Sequence, residues 1–493
     1  MCQHTSHTPH DRKATMPTEP GVRHRFRNPL LDHDVPDPDA TALSTGGWAL
    51  VASSFDRAPG LPLWHSDDLM HWRPAGFAGG HREDAPHDGG VWAPSIREHA
   101  GRLFVVWGDP DVGVLVVDAP GLEGPWSAPR VLRAGRGLID ACPIWDEDGG
   151  RARIVHGYAR SRAGFANRID VFEADADLTT DLGASRTVID GDAIAGCAVL
   201  EGPKIYRRGG HLWIFAPAGG VATGWQYAFR ATSWDGPWEH RIVLEQGDTP
   251  VNGPHQGAWI VGDDGEEWFA HFQATGARGR VLHLQPLRWS TDGWPVIGDP
   301  DRPGLPVGSW ETPRGGTVPP PPPRTGDDFA GDGSAGSWHA RGGRIEDIVA
   351  AVGGGRLTLR AHTEAALLQP LDGDHRRIEV PVLQSDGAGA ALVVADEVVR
   401  ELLAHPGDHP ASPGHVELVE PGASGHLART VAAAAPGVRL GLRIDGDRAR
   451  FTVDGAEVGE TFPLVGRRWT GAEWGLAARG DGHAVFGAVE TAR

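Results

Sequence analysis

The sequence predicts an all-β protein, a five-bladed β-propeller followed by a β-sandwich of jelly-roll type. Three observations carry that expectation. Within the first three hundred residues one plan recurs five times: a short opening motif, an apolar strand, then a polar strand closing on a Trp-bearing turn. The starts fall roughly 50–60 residues apart, the period of a four-stranded propeller blade. The composition, with 70 Gly, 40 Pro and 19 Trp, suits short strands and many turns. Beyond the proline run Pro319 to Pro323 the pattern changes to period-two alternation, the mark of half-buried antiparallel strands.

In chain order, residues 1–24 read as a disordered tail, rich in His, Thr and Pro. The propeller occupies 25–310. Its repeats open on Pro36-Asp37-Pro38-Asp39, Trp92-Ala93-Pro94-Ser95, Asp140-Ala141-Cys142-Pro143, Glu201-Gly202-Pro203-Lys204 and Gln256-Gly257-Ala258-Trp259. Trp72, Trp126, Trp238 and Trp294 mark closing turns and are expected to staple blades. Residues 311–324 form a proline-rich linker, which favours a semi-rigid polyproline II spacer. The sandwich spans 325–493, with strands expected at Arg356–Arg360, Arg439–Ile444, Arg450–Val453 and Ala484–Val489. The stretch Glu397 to Ala404 suits either a short helix or an edge strand.

A length of 493 residues exceeds one ordinary core and implies two domains. The formal net charge of −19 argues against a nucleic-acid partner or an anionic membrane surface. Cys2, Cys142 and Cys197 give neither a disulfide framework nor metal-site spacing, and the last two read as small buried hydrophobes. The stretch Met1 to Arg27 lacks the apolar core of a signal peptide, and no segment reaches the ~20 apolar residues of a membrane span. The expectation is a cytoplasmic protein acting on small imported molecules.

In a propeller the first strand of each blade lines the central channel, so carboxylates at equivalent blade starts converge on one axial pocket. Asp37, Asp140 and Glu201 open three of the five repeats. Cleaving a glycosidic bond needs an acid to protonate the leaving oxygen and a second carboxylate on the other face of the sugar. Burial and a neighbouring carboxylate both raise a carboxyl pKa, which keeps such an acid protonated near neutral pH. The plainer reading is that these acids only tie blades together through backbone hydrogen bonds, as in a non-catalytic carbohydrate-binding or interaction propeller. Acid and base at matched positions favour the enzyme. A sugar-phosphate enzyme is excluded by the lack of a glycine-rich phosphate loop or a basic cluster.

The motifs resemble glycoside hydrolase family 43. Asn28-Pro29-Leu30 leading to Val35–Asp39, Val91–Ser95, Ile139-Asp140 to Gly149, and Glu201–Lys204 carry the resemblance. Pro217–Gln226, Val251–Gly257 and His283–Leu287 narrow it to the branch of β-xylosidases and α-L-arabinofuranosidases with a C-terminal concanavalin-like domain. The resemblance implies an inverting, exo-acting glycosidase on xylan- or arabinan-derived oligosaccharides. It implies Asp37 as general base, Glu201 as general acid, and Asp140 as the residue that orients Glu201 and raises its pKa. The apolar Ala198-Val199-Leu200 before Glu201 departs from the polar residue often found there.

Further candidates surround these three. Arg280 matches an arginine that in relatives bonds substrate hydroxyls, and a guanidinium's five fixed donors suit a small sugar. His255 lies in a turn at the mouth of the fifth blade. Trp92, Trp225 and Phe55 offer apolar faces to a sugar ring. His271, on an inner apolar strand, reads as a core histidine; in relatives such a residue supports a structural calcium through water, although no oxygen-ligand cluster is evident here. No cofactor is required for the chemistry.

Overall fold

The computed structural model describes residues 24–79, 91–262, 265–313, 326–330, 338–373, 376–405, 407, 414–422 and 425–492. The expected N-terminal tail, but for residue 24, and most of the proline-rich linker lie outside the described residues. Five antiparallel sheets of four strands each follow one another in strict sequence order. Their innermost strands are Asp39–Ala42, Trp92–His99, Leu138–Trp145, Lys204–Arg208 and His255–Val261. The fifth of these adjoins the first, so the blades close into a ring.

What holds the ring together is visible in strand faces. The inner strands of the blades are buried on both sides, and alternate residues serve different neighbours. In Trp48–Val51, Trp48 and Leu50 pack toward blade 5, with Ala258, Ile260 and Trp268. Ala49 and Val51 pack toward blade 2, with Ile96, Val105 and Trp107. Three more clusters fill the gaps between blades 2 and 3, 3 and 4, and 4 and 5. The hydrophobic core is thus divided into five inter-blade wedges, and every wedge needs two blades. The closing-turn Trp72 and Trp294 lie buried in such wedges, as expected of staples. Closure is reinforced by the chain's start: Arg25–Arg27 pairs with Ser309–Glu311, and the Leu30 amide donates to the Leu282 carbonyl of blade 5 at 2.7 Å.

The C-terminal part is a continuous network of 13 strands. Its long strand Arg377–Ala395 pairs through its first half with Arg439–Asp445 and through its second with Val399–His405. Register shifts near Gln384 and Gly387 bend it between the two layers. Trp338, Trp474, Leu357, Ile378, Leu440, Phe451 and Phe486 fill the interior. The segment left open as helix or edge strand is neither: Val399–His405 is paired on both sides. Among the described residues no helix is long and apolar enough to cross a membrane.

Candidate active site

Each blade opens on a residue with left-handed backbone: Asp37 (φ 52°), Ala93 (φ 38°), Asp140 (φ 60°), Gly202 (φ 59°) and Gln256 (φ 36°). Such conformations are costly for residues with a Cβ and persist only where the surroundings enforce them. In blades 2, 3 and 5 this residue falls within a break in the ladder register, a bulge that re-aims side chains at the channel mouth. Asp37 and Asp140 hold this position, whereas Glu201 sits one residue earlier, before Gly202. The three carboxylates therefore do not share one repeat position. Only glycine fits at 202, where a Cβ would approach Gln256 to 2.9 Å and Pro217 to 3.0 Å.

Asp37 is buried and held at both oxygens. Arg280 Nη1 donates to Oδ1 at 2.5 Å, and the Ser53 hydroxyl donates to Oδ2 at 2.6 Å. Ser53 is fixed in turn by the Ala93 amide, which donates to its oxygen at 2.7 Å. Asp140 is also buried, and its Oδ2 accepts the Gly202 amide at 2.7 Å, beside Glu201. Burial, then the charge of Glu201, pushes Asp140 up to about 8; Asp37 adds to the rise, while the Gly202 amide and Lys204 oppose it. Glu201 is the accessible member, its side chain 28 % exposed, and its Oε1 lies 3.1 Å from His255 Nε2. The arrangement provides a fixed, hydrogen-bonded carboxyl at Asp37 and, electrostatically within its reach, a buried Asp140 of raised pKa beside the accessible Glu201.

Two residues before or after these positions lies a second buried layer. Lys204 Nζ donates to Pro94 O and Ser95 Oγ at 2.7 Å each and lies 4.0 Å from Asp39. Asp39 accepts from Arg97 at 2.6 Å and from the Ile96 amide at 2.9 Å. This layer places a buried cation near Asp140 and binds blades 1, 2 and 4 beneath the carboxylates.

Phe55 and Trp92 meet edge-on at 6.2 Å, and Trp469 of the sandwich stacks on Phe55 at 5.5 Å and meets Trp92 at 4.9 Å. The Arg280 guanidinium lies 5.8 Å from the Phe55 ring, which links this aromatic wall to Asp37. Trp225 meets Tyr227 edge-on at 6.1 Å and packs against the wedge between blades 3 and 4. His271 has protein partners at both nitrogens, the Phe272 carbonyl at 3.0 Å and the Gln285 amide at 3.2 Å. Burial lowers its pKa to about 4, so it is neutral. Among the described residues no carboxylate contacts its ring, and this set does not fit direct binding of calcium, which takes six to eight oxygens. His405, His415 and Glu417 form the one potential metal-ligand group among the described residues, on the sandwich. A cavity of about 300 Å³, lined by Arg97, Trp145, Tyr206 and Trp259, opens at the far ends of the inner strands, away from the carboxylates.

Ser53, Lys204 and Trp469 were not singled out by the sequence pattern. Ser53 had a signal, adjacency to Phe55; Trp469 lies outside the repeats and had none.

The sequence profile described as glycosyl hydrolases family 43 matches residues 26–295. A Xylanibacter ruminicola protein provisionally named a beta-xylosidase is 41% identical over 302 residues, covering 58% of this chain and 54% of that protein. A protein named non-reducing end alpha-L-arabinofuranosidase BoGH43B, from Bacteroides ovatus, is 29% identical over 55% of this chain and 53% of its own length. The chain spans about half the length of the curated relatives it matches. In structure it is similar to the Bacteroides ovatus xyloglucan PUL GH43B (TM-score 0.80, 22% identity, 95% of this chain and 99% of that one). The xylan beta-1,4-xylosidase of Bacillus halodurans C-125 superimposes with a TM-score of 0.79 at 21% identity, over 95% of this chain and 100% of that one. At these identities the two structures establish a shared fold across both domains.

Proposed function

The chain belongs to the glycosyl hydrolases of family 43, and from that premise we propose that it is an inverting, exo-acting glycosidase. Its substrates are terminal pentosyl residues, β-xylosyl, α-L-arabinofuranosyl or both, of xylan- or arabinan-derived oligosaccharides. The observation that carries this reading is the asymmetry of the carboxyl trio. Asp37 is pinned by a cation and a hydroxyl, while Glu201 is open to a ligand and stands beside buried Asp140, whose pKa is raised.

In the proposed reaction the sugar lies against Phe55, Trp92 and Trp469, with its anomeric carbon between Asp37 and Glu201. Asp37 takes a proton from a water as that water's oxygen bonds to the anomeric carbon. The bond to the leaving oxygen breaks, and Glu201 gives that oxygen its proton. Asp140 holds Glu201 through the Gly202 amide and keeps a proton available to it. Arg280 and His255 serve as hydrogen-bonding groups at the pocket, and no metal enters the chemistry.

Incubating the protein with nitrophenyl β-D-xyloside, α-L-arabinofuranoside and β-D-galactoside tests the proposal. Cleavage of one or both pentosides, with the galactoside untouched, supports it. Binding without cleavage of any of them would instead indicate a carbohydrate-binding propeller.

A further inference from the structure

One stretch of the sandwich, Arg467 to Glu473, presses on the propeller, and more than its aromatic ring reaches the site. Ala472 donates its amide to the Ala277 carbonyl at 2.7 Å, gripping the turn Gly276–Arg278 that leads to Arg280. The contact is close enough that a Cβ at Gly279 would stand 2.1 Å from Asp34 Oδ1 and 2.4 Å from the Gly471 amide. Glu473 is buried, and its Oε1 accepts from Arg57 Nε at 2.8 Å. Arg57, also buried, donates from Nη2 to Asp34 Oδ2 at 2.7 Å. The other oxygen of Asp34 accepts the Arg280 backbone amide at 2.9 Å, and Arg280 then holds Asp37. Every member from Glu473 to Asp37 is at most 9 % exposed.

The far end of the chain is anchored as firmly. Glu473 lies 2.6 Å from His339 Nε2 and 2.8 Å from Arg341 Nη2. Burial opposes its ionisation, but Arg341, Arg57 and His339 together hold its carboxyl well below the usual range. A buried guanidinium forked between two carboxylates has one low-energy pose, because its donors are planar and fixed.

We propose that Glu473 and Arg57 are positioning residues: through Asp34 and the Arg280 backbone, the sandwich fixes the pose of the Arg280 guanidinium and so of Asp37. The inference rests on the reading of Asp37 as the base. It gives the C-terminal domain a part in the chemistry of a site whose three carboxylates all belong to the propeller.

A double-mutant cycle tests it, since residues acting through one another do not add. Glu473→Gln, Arg280→Ala and their combination are compared with wild type in kcat/KM on the preferred pentoside, with unfolding curves to confirm the fold. Arg57→Lys, which keeps a cation but replaces the planar fork of Nε and Nη2 by a single ammonium nitrogen, is the second probe should Glu473→Gln not fold. The expected result is a loss of about tenfold or more for Glu473→Gln and for Arg57→Lys, the scale of a small misplacement at a reacting group. Neither substitution then lowers activity further in the Arg280→Ala background. Wild-type kcat/KM in folded Glu473→Gln or Arg57→Lys, or losses that simply add to that of Arg280→Ala, would overturn the relay alone. A wild type that cleaves no pentoside overturns the hydrolase reading, and the relay with it.

Discussion

Replacing Asp140 by Asn probes the electrostatics on which the site depends. Asp140 rises from 3.8 to about 8, driven first by burial and then by Glu201. At about 1.4 kcal/mol per pH unit, that rise corresponds to at most about 6 kcal/mol. The folded state binds a proton here that the unfolded chain, with an ordinary carboxyl near about 3.9, releases. Asp140 therefore contributes stability that is complete below about pH 4 and lost as the pH rises through about 8. Asparagine has no such dependence. Between about pH 5 and about pH 8, Asp140→Asn should gain on the wild type by about 1–3 kcal/mol, read from urea unfolding at each pH. The same substitution removes the group of raised pKa that lies beside Glu201. The alkaline limb of kcat/KM should move toward lower pH by about one unit or more. Stability curves that run parallel across this range, together with an unmoved alkaline limb, would refute a raised pKa at Asp140.

Glu201→Gln and Asp37→Asn should each lower turnover by at least about a hundredfold, the usual scale of a general acid or base, with the unfolding midpoint checked alongside. Near-normal turnover in Asp37→Asn would remove it as the base. Ser53→Ala frees one oxygen of Asp37 and leaves the buried Ala93 amide without its acceptor. It should cost about 1–3 kcal/mol of stability and about tenfold in kcat, measured by unfolding and steady-state kinetics. Trp469→Ala strips the sandwich's ring from Phe55 and Trp92, so KM should rise about three- to tenfold with a smaller change in kcat. An unchanged KM would mean that the ring serves the domain contact only.

The blades were legible because their period is long, regular and punctuated by Trp turns, and a ring of inter-blade wedges forces the inner strands to be apolar on both faces. The convergence of Asp37, Asp140 and Glu201 followed from the same period. Their exact offset did not, because a one-residue bulge such as that at Asp140 leaves no trace in the repeat spacing. That Arg280, expected on the sugar, also grips Asp37 was not legible, because the pairing joins residues 243 apart. Trp469, Glu473 and Arg57 escaped notice for a related reason. Their roles arise only when the sandwich docks, and nothing in Arg467-Arg468-Trp469-Thr470 resembles a blade motif. The stretch Val399–His405 was ambiguous because its apolar pattern fits several structures until partners on both sides fix it as a strand.

The account's central claim is that Asp37 activates water rather than attacking the sugar. Arg280 and Ser53 hold both of its oxygens, which suits a base placed across a gap from Glu201 rather than a nucleophile. Direct attack needs carboxyl groups only about 5–5.5 Å apart, whereas a bound water requires about 6.5–9.5 Å. Proton NMR of the first minutes of pentoside hydrolysis, before mutarotation, reads the outcome directly. The account predicts the inverted anomer as the first-formed sugar; the retained anomer, or a glycosyl ester trapped on Asp37, would contradict it.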